Sequence, residues 1–205
     1  MSDKNMSELE SLQIIQNMIQ TAKKEQRDNG AAWIFWGWSL FLASMLSVVN
    51  IHTEWFSQYF FWNCFGITAV LLSLVSVFRS PVFQPKRGAK TYTGELMQKL
   101  NVGFAITLLL VIVAMNRGIG PVFGFAMLSA LYGFWILIYG TALHFKPSMI
   151  GAYFTWACSL AGLFIRTFEH AMILHGIGVL AGYIIPGHLA WKEFKKSKGV
   201  SDQHV

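Results

Sequence analysis

Residues 121–143 read PVFGFAMLSALYGFWILIYGTAL, an uninterrupted run without a single Asp, Glu, Lys or Arg. As an α-helix this run would be about 34 Å long at ~1.5 Å per residue. The hydrocarbon core of a bilayer is ~30 Å thick and needs ~20 apolar residues to cross it. A soluble core helix needs no such length, so the run predicts a transmembrane helix.

The rest of the chain contains further long apolar runs. Only 13% of the residues are charged, about half the share in a typical soluble domain, and the charges lie between long apolar runs. We therefore predict an all-α fold, a polytopic membrane bundle of six transmembrane helices. The predicted spans are Ala31–Val49, Phe56–Phe78, Leu100–Met115, Pro121–Leu143, Ser148–Ile165 and Ala171–Trp191. The third is short for a span, so its helix should begin earlier, near Leu96.

The basic residues predict the orientation of these spans. Every Lys and Arg except Arg117 and Arg166 falls on one side of the predicted membrane. Cytoplasmic loops carry the excess of Lys and Arg in membrane proteins. The pattern therefore predicts a membrane protein with both termini in the cytoplasm. It also explains the net charge of +6 better than nucleic-acid binding, for which no basic domain is present.

Three regions follow from this assignment. Residues 1–30 form a cytoplasmic amphipathic arm, 31–192 the six-helix transmembrane domain, and 193–205 a basic cytoplasmic tail. The first apolar run begins only at Ala31, without the short apolar core and cleavage site of a signal peptide.

The arm has the sequence of a surface helix. Ser7 and Glu10 match a capping box, and Leu12, Ile15 and Ile19 recur at helical spacing opposite a polar face. Two interpretations remain open. The arm could lie on the inner membrane surface, or these three residues could dock a partner protein.

The sixth span contains the most irregular sequence at membrane depth. Pro186 cannot donate to the carbonyl of Gly182, which predicts a kink. His175 and His188 lie on either side of it, too far apart on a regular helix to share a metal. These four residues are the candidate transport or polar site, although a simple proline kink also explains the sequence.

A second set of polar residues is predicted to converge at the outer ends of the spans. We interpret it as solvated charge with one or two ion pairs, or alternatively as the mouth of a ligand or metal site. Its members are His52, Glu54, Arg117, Arg166, Glu169 and His170. No catalytic, cofactor-binding or metal-ligating residue is assigned, because no known catalytic motif occurs.

The aromatic and sulfur residues have conventional interpretations. Trp33 and Trp36 stand at the cytoplasmic entry of the first span, where indole rings often anchor a helix at the interface. Cys64 and Cys158 each lie within an apolar run, and we interpret both as packing residues.

Two parts of the sequence carry a family resemblance. Residues 8–19 (ELESLQIIQNMI), followed by FWGW at 35–38, resemble small multispan bacterial membrane proteins of unassigned activity, as does GYIIPGHL at 182–189. The resemblance implies an inner-membrane location and a helical bundle, and it carries over no functional residue.

The leading functional hypothesis is a non-enzymatic accessory, sensory or scaffold subunit that works with a protein partner or as a homo-oligomer in the lipid bilayer. The first alternative is a small channel or transporter with its site near the broken sixth helix. The second is a membrane enzyme or haem carrier, although a second histidine for a bis-histidine haem is not evident.

Overall fold

A computed structural model describes residues 30–78 and 92–201. The predicted amphipathic arm, with its candidate docking residues Leu12, Ile15 and Ile19, lies outside the described residues. So do residues 79–91 and 202–205. The arm therefore stays a prediction.

The described residues form helices joined by short turns, and no strand occurs among them. Two π-helical segments continue the third and sixth helices, and the first of them is kinked at Gly118, whose φ of 141° is not helical. The helices are α1 (Ala31–Thr53), α2 (Phe60–Phe78), α3 (Tyr92–Ala114), α4 (Pro121–Ala142), α5 (Lys146–Gly162), α6 (Phe168–Val179) and α7 (Ile185–Ser201), and the π segments are Met115–Ile119 and Leu180–Ile184.

Four helical stretches are long and apolar enough to cross a membrane, and the all-α prediction is confirmed. They are Ala31–Thr53, Leu96–Ile119, Pro121–Ala142 and Phe168–Lys196. A shorter apolar stretch occupies Phe60–Leu72, and α5 has 17 residues. The third helix begins at Tyr92, so the expectation that it starts before Leu100 is correct.

Two ends of the bundle can be distinguished. We call one of them the Glu169 end. It contains the turn 54–59, the π segment Met115–Ile119 and the turn 163–167. The other, here the Lys146 end, holds the start of α1, the turn between α4 and α5, and the lysines of α7. The helices run alternately between these ends.

Helix α1 packs antiparallel to the continuous rod made of α6, the second π segment and α7. Residues late in α1 contact residues early in the rod, and residues early in α1 contact residues late in the rod. The residues that meet are His52 with Glu169, Ser44 with His175, Gly37 with Tyr183, and Gly30 with Gly187. A Cβ on Gly37 would lie only 2.9 Å from Tyr183 Cβ, so glycine permits this close approach.

Helix α5 is held between α4 and α6 by side chains that bond to backbone carbonyls. Ser159 donates to Ala126 O at 2.8 Å, and Trp156 Nε1 donates to Ala130 O at 2.9 Å. The Thr155 hydroxyl lies 3.0 Å from Gly178 O on α6. Such bonds hold helices together where lipid offers no hydrophobic driving force.

Trp33, at the start of α1, does not occupy the interfacial position that the sequence predicts for it. Trp33 is buried, with its ring centroid 5.0 Å from that of Tyr139 and 5.1 Å from that of Tyr183. The anchor interpretation of Trp33 is wrong, because α4 and the second π segment meet at this position and enclose the ring.

Pro186 does disturb its helix, as predicted, but through a widened turn. The residues before it form the π segment Leu180–Ile184, and Ile185 N–H bonds to Leu180 O, five residues back. A π turn re-aligns the backbone where a proline has removed a donor. The rod therefore stays continuous across Pro186.

Candidate functional site

An open cleft of about 440 Å³ lies at the Glu169 end of the bundle. It forms where the end of α1 and the turn after it face the start of α6. Its walls combine polar and apolar surface and include two carboxylates. The lining residues are Asn50, Ile51, Glu54, Phe56, Gln58, Thr167, Phe168 and Glu169.

Asn50 builds one wall of this cleft by tying the turn 54–59 to α1. Its Nδ2 donates to Phe56 O at 3.0 Å and lies 3.3 Å from Ser57 O, while its Oδ1 accepts from Phe56 N at 2.9 Å. Three contacts with the backbone from one buried side chain hold the turn against the helix end. The shape of the cleft therefore depends on this residue.

A row of buried polar side chains leads from the cleft into the bundle. Ser47 and Ser44 follow Asn50 at intervals of three residues toward the middle of α1, and both serines are fully buried. Each hydroxyl donates to its own helix, Ser47 to Ala43 O at 2.7 Å and Ser44 to Leu40 O at 2.9 Å. The row spans about 9 Å along the helix axis.

His175 on α6 stands at the inner end of this row. Its Nδ1 lies 3.0 Å from Ser44 Oγ, and the side chain is only 2% exposed. Its Nε2 is buried without a hydrogen-bond partner among the described residues. An unpaired buried polar atom costs ~1–3 kcal/mol, so this atom calls for a functional explanation.

Three aromatic rings enclose the imidazole of His175. The centroids of Trp62, Phe125 and Tyr132 lie 5.3, 5.5 and 5.8 Å from its own, all at steep angles. Trp62 also donates from Nε1 to Met172 Sδ at 3.1 Å. The surroundings are therefore largely aromatic and apolar, with the Ser44 hydroxyl in contact with the imidazole.

The bundle is closed between His175 and the Lys146 end. Tyr183 packs against Tyr132 with a centroid distance of 6.1 Å and against Trp33 at 5.1 Å. Gly182 lies against Thr155 and Ile136. This packing therefore separates His175 from the Lys146 end.

The four candidate site residues of the sixth span do not form one site. His175 lies in the aromatic enclosure, whereas Gly182 and Pro186 are buried in helix packing. His188 bonds at Nδ1 to Ile184 O of its own helix at 2.8 Å. The predicted separation of His175 from His188 is confirmed, since the π segment lies between them.

The predicted charged cluster converges only in part. His52 Nε2 lies 3.0 Å from Glu169 Oε1, and Glu54 and Glu169 both line the cleft. His170 contacts Thr167 of its own turn. Among the described residues, no three His, Cys, Asp or Glu side chains are placed to hold one metal ion.

Sequence reasoning singled out His175 but missed its partners. In the sequence, Ser44, Met172 and Trp62 look like ordinary small, apolar and aromatic residues within spans. Their importance comes from contacts between α1, α2 and α6 that no local pattern encodes. The one available signal was the three-residue spacing of Ser44, Ser47 and Asn50 on α1.

Over its described residues the protein is therefore an α-helical bundle with four helices long and apolar enough to span a membrane, an open cleft at one end and a buried histidine between the helices. No protein-family model, no curated protein and no solved structure matches the chain.

Proposed function

We propose that this chain is a six-span protein of a bacterial inner membrane, with both termini in the cytoplasm, that acts as a non-enzymatic sensory subunit for a partner protein. One observation carries the proposal. The Nε2 atom of His175 is buried without a partner among the described residues, and the aromatic packing of Trp33, Tyr132 and Tyr183 closes the bundle between His175 and the Lys146 end. A bundle closed in this way favours recognition of a ligand over its passage.

The packing supports six spans rather than four. Helix α5 has only 17 residues, about 26 Å, but it packs between α4 and α6, whose stretches are long enough to span. Helix α2, with 19 residues, packs on α1. Since these two helices lie beside the longer ones, they occupy the same layer of the bilayer.

The distribution of charge supports the orientation. Arg117 and Arg166 lie at the Glu169 end, whereas Lys146, Lys192 and Lys195 lie at the Lys146 end. The positive-inside tendency therefore places the Lys146 end in the cytoplasm, and the cleft opens to the outside.

Cysteine labelling tests this orientation. In a background carrying Cys64→Ser and Cys158→Ala, a Gln58→Cys protein should react with a membrane-impermeant maleimide in intact cells, because Gln58 lines the outward cleft. A Ser201→Cys protein should react only after the cells are opened. Labelling of Ser201→Cys in intact cells would reverse the proposed orientation.

A sensory subunit must transmit a structural change in its bundle to a partner protein. The predicted arm is the segment of the sequence that makes this connection. Gly30, the last residue of the predicted arm, packs against Gly187 and Ala190 of α7, so the arm joins the bundle at a fixed point on the rod that carries His175. A change at the site therefore has a physical connection to the base of the arm.

Substitutions in the arm test the partner hypothesis. Changing both Ile15 and Ile19 to Asp should abolish stoichiometric recovery of a partner in mild detergent, because charge on the apolar face prevents docking. The matched control changes Gln13 and Gln20 to Asp on the polar face and should leave recovery unchanged. Equal recovery with both double variants, or no stoichiometric partner of the unmodified protein, contradicts the proposal.

A further inference from the structure

The cleft at the Glu169 end carries negative charge without a basic group in its walls. Its lining residues include the carboxylates of Glu54 and Glu169 and no lysine, arginine or histidine. Arg117 and Arg166 lie at the same end of the bundle but do not line the cleft. Clefts lined by one sign of charge raise the local concentration of ions of the opposite sign. The cleft therefore favours a cationic ligand over an anionic one.

The two carboxylates differ in the partners that they already have. Glu169 Oε1 lies 3.0 Å from His52 Nε2, which joins the start of α6 to the end of α1. An ionised carboxylate has two oxygens and about four acceptor positions, so Glu169 keeps capacity for a ligand. The Glu54 carboxylate has no hydrogen bond or ion pair among the described residues. It can therefore accept from a ligand without losing a protein partner.

The other walls of the cleft distinguish an organic cation from a metal ion. Among the described residues, no three His, Cys, Asp or Glu side chains are placed to hold one metal ion, whereas Ca²⁺ takes about six to eight oxygen ligands. Ile51, Phe56 and Phe168 give the cleft apolar surface, and its volume is about 440 Å³. Small-molecule sites have volumes of ~300–1,000 Å³ and largely apolar walls. Such walls stabilise an apolar ligand body and offer nothing to a hydrated ion.

We propose that this cleft binds the primary ammonium group of an amine with an apolar body. A primary ammonium has three N–H donors, and the cleft offers acceptors in its two carboxylates, the Gln58 amide and the Thr167 hydroxyl. Hydrogen bonds between ionised groups are roughly twice as strong as those between neutral groups. Aromatic rings such as that of Phe56 also attract a cation over their faces.

The inference rests on the proposed function in one respect, because the cleft faces the outside of the cell only in the proposed orientation. Two sources supply a primary ammonium there: a soluble amine, and the ethanolamine headgroup of a phospholipid in the outer leaflet. Both present the same donors to the two carboxylates. Binding to the purified protein depends neither on the orientation nor on a partner.

Binding is tested with 2-phenylethylamine on the full-length protein in detergent, by isothermal titration calorimetry against a blank of detergent alone. This amine is protonated at neutral pH and has an aromatic body. It should bind at one site per chain, and more weakly as salt is raised, because salt screens exposed charges. The neutral 2-phenylethanol and the anionic 3-phenylpropanoate are the matched ligands and should bind at least about tenfold more weakly.

Two substitutions and a control locate the ammonium group. Glu54→Gln keeps the size of the side chain but removes its charge, and it should weaken binding of the amine about fivefold, the upper range for an exposed ion pair. Gln58→Arg places a competing cation in the cleft and should abolish binding. Glu193→Gln on α7 is the same change of residue at the Lys146 end. It is the matched control and should bind as the parent does.

A protection assay places the amine in the cleft. In the background carrying Cys64→Ser and Cys158→Ala, 2-phenylethylamine should slow maleimide labelling of Gln58→Cys. It should not slow labelling of Phe164→Cys, because the Phe164 side chain is 81% exposed and does not line the cleft. The second protein also corrects for any reaction between the amine and the maleimide.

Bilayer discs of defined lipid separate the two sources of the ammonium group. If the phospholipid headgroup occupies the cleft, discs containing phosphatidylethanolamine should lower the affinity for 2-phenylethylamine relative to discs of phosphatidylcholine. Equal affinity in the two kinds of disc identifies a soluble amine as the ligand.

Three results would overturn the amine site. They are equal binding of 2-phenylethylamine and 2-phenylethanol, unchanged affinity in both Glu54→Gln and Gln58→Arg, and no binding of the amine by a protein with an ordinary heat-unfolding transition. None of them would alter the labelling of Ser201→Cys or the recovery of a partner. Failure of the amine site is therefore distinguishable from failure of the proposed function.

Discussion

Gly151→Ala should lower the unfolding free energy of the bundle by about 1–3 kcal/mol, the usual cost of over-packing a tight contact. A Cβ on Gly151 would meet the carbonyl oxygen of Ala181 and would lie 3.1 Å from Gly182 Cα. Both are backbone atoms, so no side-chain rotation relieves the clash. Helix α5 would have to move away from the π segment, which weakens the bond between Thr155 and Gly178.

The matched control is Gly103→Ala on α3, where a Cβ meets nothing within 4 Å among the described residues. Alanine is the better helix former by roughly 0.5–1 kcal/mol, so this variant should be neutral or slightly stabilised. Heat unfolding of both variants in the same detergent gives the comparison. An equal loss of stability in the two variants would mean that α5 does not approach the π segment as described.

Trp33→Ala should cost about 3–5 kcal/mol, the range for removing a buried tryptophan from a core. The ring of Trp33 is 8% exposed and lies between Tyr139 and Tyr183. Its loss leaves a cavity where α1, α4 and the second π segment meet. Unfolding by titration with a denaturing detergent, followed by circular dichroism, measures the effect.

Trp55→Ala provides the comparison, because Trp55 is 75% exposed in the turn after α1. It is the same change of residue at a site without enclosing partners, so the cost should stay below about 0.5 kcal/mol. If Trp33 were an anchor in the membrane interface, as its sequence position suggests, the two variants would behave alike.

The sequence by itself determined the helices and their order. Charge-free runs of about 20 residues have one stable form in lipid, because every backbone N–H and C=O must bond within the segment. The bounds followed closely from composition, as at Pro121–Ala142. The early start of α3 and the disturbance before Pro186 also followed from local chemistry, since length and a missing donor act within a few residues.

Only the tertiary structure decided which face of each helix looks inward. On α1, Leu40 is 4% exposed and Leu42 is 50% exposed, although both are leucines in one apolar run. In water the hydrophobic effect would mark the inner face with apolar residues, but lipid is as apolar as leucine and removes that distinction. Helix contacts are instead selected by close packing and by hydrogen bonds between helices. The meeting of Ser44, Met172 and Trp62 around His175 is therefore a property of the assembled bundle.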